Sequence, residues 1–121
     1  MTLNHIDLQV PDVQGAALFF ERYFGFEHRS SRTSPAVAIL GDAHGFVLVL
    51  QRKRRDDEAY PEGFHVGFLV ESEDLVRAFH ERARGEGLVI SDLQSNNRGL
   101  MTYCQGPGGV LVEVSCRRPR G

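Results

Sequence analysis

The chain states one pattern twice. Asn4-His5-Ile6-Asp7-Leu8-Gln9-Val10 leads into Leu18-Phe19-Phe20-Glu21-Arg22-Tyr23-Phe24-Gly25-Phe26, and Phe64-His65-Val66-Gly67-Phe68-Leu69-Val70 leads into Ala78-Phe79-His80-Glu81-Arg82-Ala83-Arg84-Gly85. His5 and His65 stand sixty residues apart, and so do Phe19 and Phe79, Glu21 and Glu81, Arg22 and Arg82, and Gly25 and Gly85. A period of about half the chain restricts the fold to two copies of one supersecondary unit, related by approximate symmetry. Each copy opens with a histidine in its first strand. Two histidines placed alike in paired modules can face each other, and that arrangement suits a metal ion.

The repeat unit itself is legible. Apart from Leu3 and Asn4, the opening alternates, Ile6, Leu8 and Val10 against His5, Asp7 and Gln9, the period of a half-buried strand. Pro11 and Asp12 end it, and Asp12 can cap a helix whose stripe is Val13, Ala16, Ala17, Phe20 and Phe24. Gly25 closes that helix. Strands are predicted near 26–31, 35–41 and 45–51, so module one, 1–51, reads β-α-β-β-β. A polar linker, 52–62, follows. Module two, 63–116, repeats the order with a strand over 63–70, a helix opening at Glu71-Ser72-Glu73, and strands near 88–93, 99–105 and 109–116. The second helix carries Leu75, Val76, Phe79 and Ala83 on one side. Asn96-Asn97-Arg98-Gly99 and Gln105-Gly106-Pro107-Gly108-Gly109 read as turns, and residues 117–121 as a disordered tail. At 121 residues the two modules form one domain, 1–121. The expected class is α+β: two tandem βαβββ modules forming a curved, partly closed mixed sheet with helices outside.

Bulk properties exclude several partners. The net charge of −2 provides no global field for nucleic acid. The one basic run, Arg52-Lys53-Arg54-Arg55, is followed at once by Asp56-Asp57-Glu58 and reads as a solvated linker. No apolar stretch reaches membrane-spanning length and no secretory leader pattern opens the chain, so a cytoplasmic protein without membrane contact is expected. Cys104 and Cys116 form no CxxC and fall in separate strands, as core filler or free thiols rather than a disulfide.

Side-chain parity sorts the strands into two faces. One set is Ile6, Leu8, Val10, Leu48, Leu50, Val66, Phe68, Val70, Val112, Val114 and Cys116, which must lie under the helices. The other set includes His5, Asp7, Gln9, Val49, Gln51, His65, Gly67, Met101, Tyr103, Glu113 and Ser115, so the polar groups collect on the concave side.

These marks resemble the vicinal oxygen chelate superfamily, which includes glyoxalase I, extradiol dioxygenases, fosfomycin-inactivating enzymes and bleomycin-resistance proteins. The resemblance rests on the His5 strand, the helix end Leu18-Phe19-Phe20-Glu21-Arg22-Tyr23-Phe24-Gly25-Phe26, the His65 strand, and the closing Gly106-Pro107-Gly108-Gly109-Val110-Leu111-Val112-Glu113-Val114. It covers nearly the whole chain. The closing turn departs from the usual Asp-Pro-Asp/Asn-Gly by reading Gly-Pro-Gly-Gly. The resemblance implies a metal near the centre of the sheet, with ligand places at His5, Val49, His65 and Glu113. Glyoxalase I-like members carry a glutamate at the place of Val49, which counts against that activity. Gln51, two residues on and on the same face, can partly compensate through its amide oxygen. The remaining trio of His5, His65 and Glu113 matches extradiol dioxygenases and fosfomycin enzymes. In similar small members each site joins module one of one chain to module two of another, so a homodimer with shared sites is implied.

Two neutral imidazoles and a carboxylate bind Fe(II), Mn(II), Co(II), Ni(II) or Zn(II) and leave positions open for substrate oxygens. The expected function is therefore a small metal-dependent enzyme with dioxygenase-like or related lyase or transferase chemistry on a small molecule. Its catalytic candidates are Tyr103 and Glu113. Two alternatives stand beside it: a metal-free protein that binds an antibiotic or metabolite, and a fosfomycin-type thiol transferase. The second is weakened because residues 93–99 lack the lysine such enzymes place on the phosphonate. Tyr103 either orients substrate and handles a proton or simply packs in the cavity. Asp7 and Gln9 are candidate partners that fix the tautomer of a ligand histidine. Arg98 is a candidate clamp for an anion or an ordinary exposed loop arginine. His28, His44 and His80 have no partner motif.

Overall fold

The computed structural model describes residues 1–118. They divide into two compact units, one of residues 1–59 with Pro107–Gly109, the other of 60–106 and residues 110 onward. In unit one, β1 (His5–Val10) is followed by α1 (Val13–Phe24), β2 (Glu27–His28), β3 (Val37–Gly41) and β4 (Val47–Arg52). In unit two, β5 (His65–Leu69) is followed by α2 (Glu73–Gly85), β6 (Gln94–Asn96), β7 (Gly99–Gln105) and β8 (Leu111–Arg117). The strand orders are β1-β4-β3-β2 and β5-β8-β7-β6. In both sheets the first strand runs parallel to the last and the other pairings are antiparallel. The sequence repeat is thus a repeat of topology, and the α+β class with two βαβββ modules holds. Among the described residues no helix is long and apolar enough to cross a membrane.

Each helix starts and stops where its sequence dictates. The Asp12 side chain accepts from the Gly15 N–H, and Gly25 closes α1 at φ +70°, a left-handed conformation that suits glycine. The helix buries Val13, Ala16, Ala17 and Phe20 and packs against β3 and β4, whose Leu40 and Leu50 are buried. In α2, Ser72 accepts from the Leu75 N–H, and Val76 and Ala83 are buried toward β7 and β8. Val76 packs with Leu100 and Cys116, flanked by Val70 and Leu93. Leu75 departs from its predicted place on that stripe and is 50% exposed. It precedes Val76 by one residue, which rotates it about 100° around the helix and off a narrow apolar face.

Parity survives in both sheets. Leu48, Leu50, Val112 and Val114 are buried, while Val47, Val49, Leu111 and Glu113 on the alternate face are only half-buried. Cys104 and Cys116 are buried free thiols, as predicted.

Three predicted strands come out differently. The strand near 26–31 shrinks to the two residues of β2. The chain beyond it is drawn onto α1 instead: Gln14 Nε2 donates to the carbonyls of Ser31 and Ser34, and Arg32 forms a two-pronged pair with Glu21 at 2.8 and 2.9 Å. The strand near 88–93 is reduced to one bridge, Ile90 to Cys104, and β6 forms later, at Gln94–Asn96. From the Ile90–Cys104 pair to the Gln94–Met101 pair the register slips by one residue, so a bulge separates them. The predicted turn there narrows to Asn97 and Arg98, between the paired Asn96 and Gly99. The last strand continues through Arg117, and the Arg118 N–H donates to the Arg98 carbonyl at 3.0 Å, so these two residues are no loose tail. The rest of the predicted tail, 119–121, lies outside the described residues.

Candidate metal and substrate site

The centre of unit two is a straight line across three strands. Gly67 on β5 pairs with Glu113 on β8, which pairs with Tyr103 on β7. His65 lies two residues before Gly67 and therefore on the same face. The Tyr103 hydroxyl donates to Glu113 Oε1 at 2.6 Å, and the His65 ring meets the Tyr103 ring edge-on at 5.9 Å. The other carboxylate oxygen overhangs a notch: a Cβ on Gly67 would sit 3.2 Å from Glu113 Oε2. The carboxylate is thereby divided. Oε1 is held by the phenol, and Oε2 faces space that a side chain at 67 would take.

The two repeat histidines each have an oxygen acceptor at Nδ1. His65 Nδ1 lies 2.9 Å from the Gly63 carbonyl oxygen. A carbonyl only accepts, so Nδ1 carries the proton and the neutral ring keeps its lone pair on Nε2. Gly63 presents that carbonyl from a turn at φ +84°, closed by the Phe64 N–H on Pro61 O and backed by the stacked rings of Tyr60 and Phe64. His5 Nδ1 lies 2.8 Å from Asn4 Oδ1, which fixes the same tautomer in unit one. Asp7 was a candidate for that service, and it does not perform it. Its carboxylate accepts from the Gln51 amide instead, while Val49 lies beside it in register.

The structure thus brings His65, Tyr103 and Glu113 together on one sheet face of unit two, with His5 on β1 of unit one. Among the described residues no group of three His, Cys, Asp or Glu side chains is placed to hold a metal ion within one chain. The donor set still suits a divalent ion: two neutral imidazoles with Nε2 lone pairs, each Nδ1 bound to an oxygen acceptor, and one carboxylate oxygen over a vacant notch.

Tyr103 is held from two sides. Its hydrogen bond to Glu113, then burial and the carboxylate's charge, push its pKa up from the ordinary phenol value, while nearby Arg98 opposes them. The phenol is therefore a neutral donor at physiological pH. Its backbone is fixed by Ser91, whose N–H donates to Tyr103 O at 2.8 Å and whose Oγ accepts from Tyr103 N–H at 2.9 Å. Buried Thr102 adds a hydroxyl bond to Ser91 O. Sequence periodicity missed Ser91, because its role depends on the bulge. His28 proves structural: its Nε2 bonds Gln14 Oε1 and its Nδ1 accepts from the Ser30 N–H.

Known proteins share this fold. A possible glyoxalase from Bacillus cereus matches with a TM-score of 0.86 at 34% identity, over 96% of this chain and 99% of that one. The fosfomycin resistance protein FosX of Listeria monocytogenes, solved with Mn(II) and sulfate, has the same fold, with a TM-score of 0.78 at 22% identity over 97% of this chain and 90% of that one. An uncharacterised Pseudomonas aeruginosa protein is 25% identical over 128 residues, which span 99% of this chain and 91% of that protein. The sequence model of one family matches residues 2–114. With its repeated βαβββ units, its paired strand histidines and that match, the chain belongs to the Glyoxalase/Bleomycin resistance protein/Dioxygenase superfamily.

Proposed function

We propose that the protein is a small metal-dependent enzyme that binds a substrate through its oxygen atoms on a divalent ion held by His5, His65 and Glu113. The observation that carries this reading is the aim of the donors: both Nε2 lone pairs are left open by acceptors at Nδ1, and Glu113 Oε2 overhangs the Gly67 notch. Such an ion, Fe(II), Mn(II), Co(II), Ni(II) or Zn(II), supplies Lewis acidity toward substrate oxygens. His65 and Glu113 come from unit two of one copy and His5 from unit one of a second copy, in a homodimer. Tyr103 holds a proton at its hydroxyl beside Glu113, where it orients a substrate oxygen and gives or takes a proton. The chemistry is dioxygenase-like or a related lyase or transferase reaction.

The test is metal content by mass spectrometry for wild type and Glu113→Ala after incubation with Fe(II), Mn(II), Ni(II) and Zn(II). Wild type is expected to retain one of them and the variant to lose it, because two imidazoles alone hold a divalent ion weakly. Equal and negligible retention by both proteins replaces this reading with a metal-free protein that binds an antibiotic or metabolite.

A further inference from the structure

The Tyr103 hydroxyl has two acceptors for one proton. Glu113 Oε1 lies 2.6 Å from it and Met101 Sδ lies 3.7 Å from it. Met101 stands two residues before Tyr103 on β7, on the same face, and is buried. A phenol hydrogen turns about its C–O bond and serves one acceptor at a time. A third group faces the same oxygen. The Arg98 guanidinium lies 4.0 Å from Met101 Sδ and hydrogen-bonds the Tyr103 hydroxyl. A guanidinium only donates, so the phenol oxygen accepts from Arg98 and its own hydrogen turns away from that cation. Met101 Sδ stands beside the guanidinium, which leaves Glu113 Oε1 as the acceptor.

The backbone places Arg98 for this. It is the second of two residues between the paired Asn96 and Gly99, where β6 turns into β7. Its N–H donates to Asn96 Oδ1 at 2.8 Å, and its carbonyl accepts from the Arg118 N–H at 3.0 Å. Gly99 has φ +145°, and a Cβ there would collide with the Cys116 carbonyl oxygen. Only glycine lets the turn close this tightly on β8. A turn pinned on both sides of Arg98 fixes where its side chain starts, and the side chain lies beside Met101 to reach the phenol.

We propose that Arg98 is a positioning residue: by occupying the phenol oxygen it keeps the Tyr103 proton on Glu113 Oε1, so that Oε2 alone is presented to the metal. Guanidinium, neutral phenol and carboxylate form a line of two hydrogen bonds that ends at a ligand side chain. Groups behind a ligand set its orientation and are felt at the ion without touching it. With Oε1 engaged, Glu113 offers a single oxygen over the Gly67 notch. Without Arg98 the proton is shared with Met101 Sδ, Oε1 is released for part of the time, and the carboxylate turns both oxygens toward an ion. Arg98 is then neither an anion clamp nor a loose loop arginine. The effect on the ion rests on the function proposed above; the direction of the Tyr103 proton does not.

The test is ultraviolet resonance Raman spectroscopy of metal-free, full-length protein, with the matching Tyr103→Phe spectrum subtracted to isolate one of the three tyrosines. The tyrosine Fermi doublet reports whether a phenol accepts as well as donates, and its intensity ratio falls when acceptance is lost. Wild type is expected to show Tyr103 doing both. Arg98→Met is expected to lower the ratio. Arg98→Lys, which retains a charged donor, is expected to restore it, with urea midpoints unchanged in both variants. Arg54→Met, on the linker, is expected to leave the ratio as it is. The same proteins loaded with Co(II) are then compared by visible absorption, which is expected to shift in Arg98→Met and to return with Arg98→Lys. An unchanged doublet in Arg98→Met, or a loss in Arg98→Lys as large as in Arg98→Met, overturns the proposal. A changed doublet with identical Co(II) spectra overturns the link from Tyr103 to the ion. A changed doublet in a protein that retains no Co(II) supports the hold of Arg98 on Tyr103 and removes only the metalloenzyme reading.

Discussion

The Tyr103 hydroxyl donates to Glu113 Oε1 at 2.6 Å across directly paired positions of β7 and β8. This bond raises the phenol's pKa above 10.0, so its contribution to stability is complete below that value and is lost as pH rises through the raised one. Glu113→Ala is expected to return Tyr103 toward the ordinary phenol range. Tyrosinate absorbance during alkaline titration checks this, with Tyr103→Phe identifying the step among the three tyrosines. Superimposable titrations for wild type and Glu113→Ala would show that the bond does not control the phenol.

Shared sites have a distinctive signature on mixing. His5→Ala and His65→Ala homodimers are each expected to lose bound metal. When the two variants are unfolded together and refolded, a mixed dimer regains one intact site, with His5 from one copy and His65 from the other. Metal content should therefore recover partially in the mixture and stay absent in each variant alone. No recovery, with light scattering showing dimers, would place all ligands within one chain.

Gly67 and Gly99 should respond in opposite ways to an added methyl group. Gly67 has no positive φ, and its Cβ would meet only the Glu113 side chain, Oε2 at 3.2 Å and Cβ at 3.9 Å. Gly67→Ala is expected to leave stability unchanged or raise it by about 0.5–1 kcal/mol while weakening metal binding. Gly99→Ala drives a Cβ into the Cys116 carbonyl at φ +145° and should cost about 3 kcal/mol or more, or prevent folding. Urea unfolding of both variants separates the two cases.

Ser91→Ala removes the acceptor of the Tyr103 N–H inside the bulge. A loss of about 1–3 kcal/mol is expected, seen as a lower urea midpoint with unchanged slope. A variant as stable as wild type would mean that water replaces the Oγ.

Much of this was legible before the structure. The sixty-residue repeat gave both topologies, and parity placed His65, Tyr103 and Glu113 on one face, because one face of each sheet is buried and a slip would expose it. What stayed hidden depended on contacts between distant residues. The shortened β2 follows from Gln14 and Glu21 holding the next loop against α1. The displacement of β6 follows from a one-residue bulge, which no local propensity marks. Asn4 rather than Asp7 serves His5, because the strand pleat points Asp7 to Gln51. The extension of β8 through Arg117 was hidden because it runs further than the apolar pattern.

The acceptors that fix the two histidines are near neighbours in the chain: Asn4 is adjacent to His5, and Gly63 is two residues from His65. Each imidazole therefore acquires its orientation from its own short segment, without help from a distant strand. Ordering of each ring is therefore a local event, settled as its own unit folds, and a substitution in one unit is expected to leave the tautomer in the other untouched.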